Sequence, residues 1–297
     1  MMTGVWVDQL RLSRRQPSPE AVQAWPSGTR MIALHNARIR VRDVGRGDRV
    51  ILLTPDAPVV LENYGRLISL LAPHARVVCF EFPGCGFSTP SFGFDYTVQH
   101  YARVVTGVMD ALEIPRATLA FTCINATVAM AVAHSHPERV ERLVLAQVAG
   151  VDEMRRYARS IDGRVAGLPV LHTPVLGQVL VALRRDATAR SWFRRALPKG
   201  FPEERIWAVT QKVLAHGGQF CMASIIQGQL GVTAAEATVP DCPTSIVWGD
   251  ADRTHARTRR DTVLRQVPHA HIEGLPDLGH CPDIEAPEAY AERLLAS

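Results

Sequence analysis

Short apolar runs, each followed by residues at helical spacing, recur along the first half of this chain. Between 31 and 44 apolar and polar residues alternate (Ile32, Leu34, Ala37, Ile39, Val41), and His35-Asn36 can turn the chain, so a hairpin is expected. Apolar runs at 50–53, 77–80, 119–121 and 142–146 read as buried strands. Between them, Leu61, Tyr64, Leu67, Ile68 and Leu71 share one helical face, and residues 98–112 and 124–133 read as further helices. Strands that alternate with helices predict an α/β fold with a mostly parallel central sheet flanked by helices. The rhythm stops near residue 150 and resumes with a strand at 244–248, a helix at 258–266, a strand at 271–273, a turn at 276–279 and a last helix at 287–295. The expected organisation is an irregular leader at 1–30, a core at 31–150 and 240–297, and a helical insertion at 151–239. The leader carries Pro17, Pro19 and Pro26 and shows no clear period.

Composition narrows the class. A chain of 297 residues, 47% hydrophobic and 21% charged, can bury one large core without staples. Its six cysteines are scattered with no C-x-x-C pair, which argues against a disulfide framework or a zinc site and for a reducing compartment. Arg11, Arg14 and Arg15 interrupt the first residues, and no run of 18 apolar residues exists, so a cytoplasmic protein without membrane partners is expected. The net charge of +4 is modest and speaks against nucleic acid. The insertion is the basic part: it holds 12 Lys and Arg against 7 Asp and Glu.

The candidate chemistry centres on Cys123, at the corner where the strand ending at Phe121-Thr122 turns into a helix. A thiol over the first N–H groups of a helix is biased toward the thiolate. Four other stretches stand in a fixed order around it: Phe82-Pro-Gly-Cys-Gly-Phe-Ser88 before it, then His136-Pro-Glu-Arg-Val140, Gly249-Asp-Ala-Asp252, and Gly279-His280 with Pro282, Glu285, Pro287 and Glu288. Together with Phe121-Thr-Cys-Ile-Asn125, this set resembles the α/β-hydrolase superfamily over roughly residues 31–297. The insertion is similar to that family's helical cap.

The resemblance implies a triad in nucleophile–acid–histidine order. Cys123 would attack a carbonyl, His280 would move the proton, and Asp252 would orient His280. The oxyanion hole would be the backbone N–H groups of Asp56 and Ile124. This chain departs from the family pattern at four places. Cys123 replaces the usual Ser, Phe121 and Asn125 replace the elbow glycines, and Thr54-Pro55-Asp56 stands where His-Gly is usual. Asn tolerates positive φ, which suits position 125. The Asp56 side chain either points away, stays protonated, or acts as an acid, base or substrate contact, and Asn125 is a second candidate contact.

The expected activity is hydrolysis or acyl transfer on a small, largely apolar ester or thioester, with a setting in specialised metabolism. The basic insertion suits an acidic carrier protein or a coenzyme A thioester. No cofactor and no metal is implied, because a set of Cys85, Cys123, Cys281 and His280 lacks ligand spacing. Two alternatives stand beside this. One is a lyase of the same fold that uses His280 or Asp56 as acid and base without an acyl-enzyme, and the other is a catalytically dead ligand-binding member.

Overall fold

The computed structural model describes residues 4–231, 238–239 and 241–296. The alternating segment forms the expected hairpin, β1 (Thr29–Leu34) and β2 (Ala37–Val44). The apolar runs become β3 (Val50–Thr54), β4 (Arg76–Phe80), β5 (Ala117–Thr122), β6 (Val140–Ala146), β7 (Thr244–Gly249) and β8 (His271–Leu275). Every residue of β3 and β5 is buried, as a strand covered on both faces must be.

These strands form one twisted layer in the order β1-β2-β4-β3-β5-β6-β7-β8, with the two-residue strand Thr89–Pro90 paired to β2. β2 runs antiparallel to both neighbours, and the pairs from β4 to β8 are parallel. From β3 the chain crosses to β4 on one side, then returns past β3 to β5 and continues to the other side. The reversal between β3 and β5 is a topological switch point, and crevices there lie at the carboxyl ends of the strands. Register aligns those ends: Thr54 faces Phe121, and Thr122 faces Ala146.

Helices cover the sheet. α1 (Trp6–Leu12) and α2 (Pro19–Gln23) precede it, and α3 (Gly65–Leu71), α4 (Val98–Ala111) and α5 (Ile124–Ser135) connect its first strands. After β6 come α6 (Val151–Ser160), α7 (Leu176–Leu183), α8 (Arg185–Ala196), α9 (Glu203–Ala215) and α10 (Met222–Gln229). α11 (Pro282–Glu285) and α12 (Pro287–Leu295) end the chain. α3 packs with α12, and α4 with α5. The expected end of the insertion, at 239/240, borders residues outside the described set. Among the described residues no helix is long and apolar enough to cross a membrane.

Two expectations are corrected. The segment at 1–30 is not irregular, because α1 seats Leu12 in the core and Ser18 caps α2 by accepting from the Ala21 N–H (3.2 Å). Around 258–266 the chain makes only the 3-10 turn Arg260–Arg265, where just Thr262 and Val263 are buried, too narrow an apolar face for an α-helix.

A buried ion pair anchors the loop after β4. Arg40, fully enclosed, donates to Glu81 through Nε (2.9 Å) and Nη2 (2.5 Å) and to Glu62 through Nη1 (2.6 Å). Glu81 also accepts from the Phe87 N–H (2.8 Å), which folds the 82–88 loop back over it. Gly86 is required there, since it sits at φ 49° and a Cβ would lie 1.9 Å from Glu81 Oε1. Arg40→Met should therefore destabilise the fold by about 3–5 kcal/mol, because Glu81 stays buried without its partner. The double change Arg40→Met with Glu81→Leu should cost less than the single one, as read from urea unfolding midpoints.

Candidate active site

The switch point presents Cys123. Its backbone is held at φ 55° and ψ −127° between β5 and α5, a conformation that costs a non-glycine residue about 1–3 kcal/mol. Neighbouring contacts hold it there. The Cys123 N–H donates to the Ala146 carbonyl (2.8 Å), and Asn125 Nδ2 donates to the Pro55 carbonyl (3.1 Å). The positive φ expected to suit position 125 is not used: Asn125 is an ordinary helical residue whose side chain ties the elbow to the loop after β3. Phe121 points into an aromatic cluster, edge-on to Phe80 and Phe82 with centroids 6.1 Å away in each case.

The acid and the histidine arrive on the loops after β7 and β8. Gly249 lets these loops meet, because a Cβ there would lie 2.0 Å from the Gly279 carbonyl oxygen. His280 is completely buried, with Nδ1 2.6 Å from Asp252 Oδ2. Asp252 is held in turn by Gln147 Nε2 (2.8 Å), the Thr254 N–H (2.7 Å) and the Thr254 hydroxyl (2.6 Å). Burial alone would raise the Asp252 carboxyl, but the His280 imidazolium holds it far below the usual range. Burial likewise works against a charged His280, and the Asp252 carboxylate outweighs it and raises the ring's pKa well above the usual value.

Asp56 occupies the remaining side of that ring. Its Oδ2 lies 3.1 Å from His280 Nε2, the atom a triad would aim at the nucleophile. The same carboxylate also interacts with the Cys123 thiol, so thiol, imidazole and Asp56 form one mutually interacting cluster. Burial raises the Asp56 pKa despite both partners. Burial, reinforced by the charge of Asp56, pushes the Cys123 thiol up to about 11. The expected bias toward a thiolate is corrected: His280 and the Ile124 N–H pull the other way and do not win. Among the described residues, no carbonyl accepts from the Asp56 N–H, and the Ile124 N–H interacts with the Cys123 sulfur.

One participant was not read from the sequence. His255 Nε2 lies 3.9 Å from Cys123 Sγ, and its Nδ1 meets Thr258 Oγ1 at 3.0 Å. It stacks on Tyr157, with centroids 3.8 Å apart, and burial with the charge of His280 drives its pKa down to about 3, so it is neutral. The available signal was its place three residues after Asp252. Cys123, His255 and His280 put their donor atoms within 4.8 Å of one another, the one such group that could hold a metal among the described residues.

Asp56, Cys123 and Asn125 open onto a narrow chamber lined by apolar groups such as Phe82, Ile161, Trp192 and Phe220. Trp192 also meets His280 edge-on at 4.9 Å. Cys85 lies in the wall; Cys281 is buried beside His280 without lining the chamber.

Comparison with known proteins places the chain in a family and supports the fold. Residues 50–293 fit the sequence model of the alpha/beta hydrolase family. A 2-hydroxymuconate semialdehyde hydrolase from Pseudomonas sp. (strain CF600) is 26% identical over 285 residues, covering 91% of this chain and 94% of that protein. A 2-hydroxy-6-oxo-2,4-heptadienoate hydrolase from Pseudomonas putida is 28% identical over 188 residues, covering 59% of this chain and 68% of that protein. The crystal structure of an epoxide hydrolase from Vigna radiata superposes with a TM-score of 0.69 at 18% identity, covering 90% of this chain and 96% of that one.

A thiol with so high a pKa should react slowly. Iodoacetamide should label Cys123 sluggishly at pH 7, about tenfold faster per pH unit up to pH 9.5, and Asp56→Asn should speed labelling at pH 7. Peptide mass spectrometry of Cys123 would check this, and a flat pH profile would contradict a resting thiol.

Proposed function

The chain belongs to the alpha/beta hydrolase family, and on that premise we propose that it hydrolyses a small acyl compound, an ester or thioester, through Cys123, His280 and Asp252. One observation carries the proposal. The strained elbow sets Cys123 in the wall of an apolar chamber, with its Sγ within 4.8 Å of a ring nitrogen of the Asp252-bonded His280 behind it. The relatives' names share the word hydrolase, which favours water over another acyl acceptor.

The substrate carbonyl sits with its oxygen toward the Asp56 and Ile124 N–H groups. Cys123 Sγ bonds to the carbonyl carbon as its S–H breaks, and the proton passes to the Asp56–His280 pair. Asp56 then stands neutral beside the developing oxyanion, so the repulsion its carboxylate would cause is removed. The carbon–leaving-group bond breaks and the leaving group takes that proton, which leaves a thioester on Cys123. Water attacks the thioester, its proton goes to the same pair, the C–S bond breaks and the thiol is restored. Helices α6 to α10 serve as the cap over the chamber. Arg156, Arg159, Arg195, Arg253 and Arg257 line a groove that shares Tyr157 and Ile161 with it, the place for an acidic carrier protein or a coenzyme A thioester.

A second reading rests on the 3.1 Å contact between His280 Nε2 and Asp56. There the two act as acid and base in an elimination or cleavage, and Cys123 forms no covalent bond.

Kinetics on a panel of thioesters and esters separates the two. Cys123→Ala and His280→Gln should each lower kcat by about a thousandfold or more, with KM little changed. Intact mass of His280→Gln after substrate should show one acyl group on Cys123. Activity that survives Cys123→Ala but is lost in Asp56→Asn and His280→Gln would establish the second reading.

A further inference from the structure

All eight residues of α10 are buried, and one stripe of them faces the chamber: Met222, Ile225, Ile226 and Gln229, at helical positions i, i+3, i+4 and i+7. Three of the four are apolar. The fourth ends the stripe with a primary amide among apolar neighbours such as Phe82, Trp192 and Phe220.

That amide is unsatisfied. Gln229 is 1% exposed, and neither Oε1 nor Nε2 has a hydrogen-bond partner. Buried polar groups without partners are rare and costly, so each one calls for a reason. The same helix supplies a control. Gln227, two residues earlier, accepts from the Gly4 N–H (2.9 Å) and Gln178 Nε2 (3.0 Å) and donates to the Leu171 carbonyl (2.9 Å). A buried glutamine on this helix is thus fully bonded where its job is structural.

Other polar groups of the wall do not relieve Gln229. Asn125 Nδ2 is committed to the Pro55 carbonyl (3.1 Å), and the Tyr101 hydroxyl donates to the Pro83 carbonyl (3.1 Å). Tyr101 lies beside Gln229, and its oxygen can take an Nε2 proton at most. Oε1, an acceptor, still calls for a donor, and Gln229 lines the chamber that holds Cys123.

We propose that Gln229 is a specificity residue that accepts a hydrogen bond from a hydroxyl carried on the acyl part of the substrate. The proposal deepens the acyl-hydrolase reading and rests on it for the identity of the bound group. It also narrows that reading: the acyl part is an apolar chain with a hydroxyl at a set distance from the reacting carbonyl. A site with a fixed acceptor rejects the analogue without the donor, because the buried amide is then left unpaired.

The test uses binding first, so that it does not depend on turnover. Plain and terminally hydroxylated fatty acids of four to eight carbons are titrated while tryptophan emission is followed, since Trp192 lines the chamber. At one chain length the hydroxylated acid should bind about tenfold or more tightly than the plain one. In Gln229→Met, a near-isosteric change, that preference should vanish. Without ligand, Gln229→Met should melt about 2 °C higher than the parent, whereas Gln227→Met should melt lower. Loss of stability in Gln229→Met, a hydroxyl preference that survives in it, or no preference at any length in the parent would each overturn the proposal. Thioesters of the same acids are assayed separately. If none is turned over while the binding preference holds, the acyl-hydrolase reading fails and Gln229 keeps its role.

Discussion

A fully buried imidazole held between two carboxylates is the constraint on which this site depends. Taking His280 out of water disfavours its charge, and only fixed negative partners at hydrogen-bond distance can reverse that. Asp252 at 2.6 Å and Asp56 at 3.1 Å supply them from opposite ring nitrogens. Both must arrive from different strands, which explains much of the surrounding architecture. Gly249 allows the β7 and β8 loops to touch, Gln147 reaches from the end of β6 to Asp252, and Glu285 accepts from the Gly279 (2.5 Å) and Cys281 (2.8 Å) N–H groups on either side of His280. The parallel sheet makes this possible by delivering several carboxyl strand ends to one edge.

The second carboxylate changes what the nucleophile is. A helix N-terminus and a nearby imidazolium both favour a thiolate, but each is weak beside full burial next to an ionised Asp56. Cys123 therefore rests as a thiol, and its activation is coupled to whatever neutralises Asp56. In the proposed reaction, a substrate that places a carbonyl dipole in the chamber and moves the thiol proton to Asp56 removes the repulsion in the same event. Reactivity is thereby tied to occupancy, which protects a buried thiol from adventitious oxidation between turnovers.

Most of the fold was legible because its signals are local. Apolar runs of strand length and helical spacing each report on a few adjacent residues, and the order of Cys123, Asp252 and His280 follows from the order of the strands that end in them. The residues that were not legible act across the fold. His255 has meaning only because Tyr157, from α6, stacks on it beside Cys123. Asn125 was read for its backbone tolerance, yet its side chain reaches Pro55, 70 positions away in the chain. The helix α6 was obscured by its charges, Asp152, Glu153, Arg155, Arg156 and Arg159, although Met154, Tyr157 and Ala158 face inward. α10 was obscured for the opposite reason, since a helix buried all round has no polar face to mark its period.

The two kinds of element contribute differently to the chamber. Groups with charge or nucleophilic character sit on strand ends and the loops tied to them, where backbone hydrogen bonds and buried ion pairs hold positions within tenths of an ångström. The wall opposite comes from α8 and α10 in the inserted region, which is tied to the core backbone at only a few points: Gln219–Phe220 pairs with Cys85–Gly86, and the Ala196 carbonyl at the end of α8 accepts from the His280 N–H (3.0 Å). Chemistry that depends on proton transfer over about 3 Å requires the first kind of support. Shape and a single hydrogen bond tolerate the second. Exchanging residues on α10 can therefore alter which ligand fits without disturbing the Asp252–His280–Asp56 array, whereas a change at the strand ends, or at Trp192 and Ala196 of α8 beside His280, acts on the array itself.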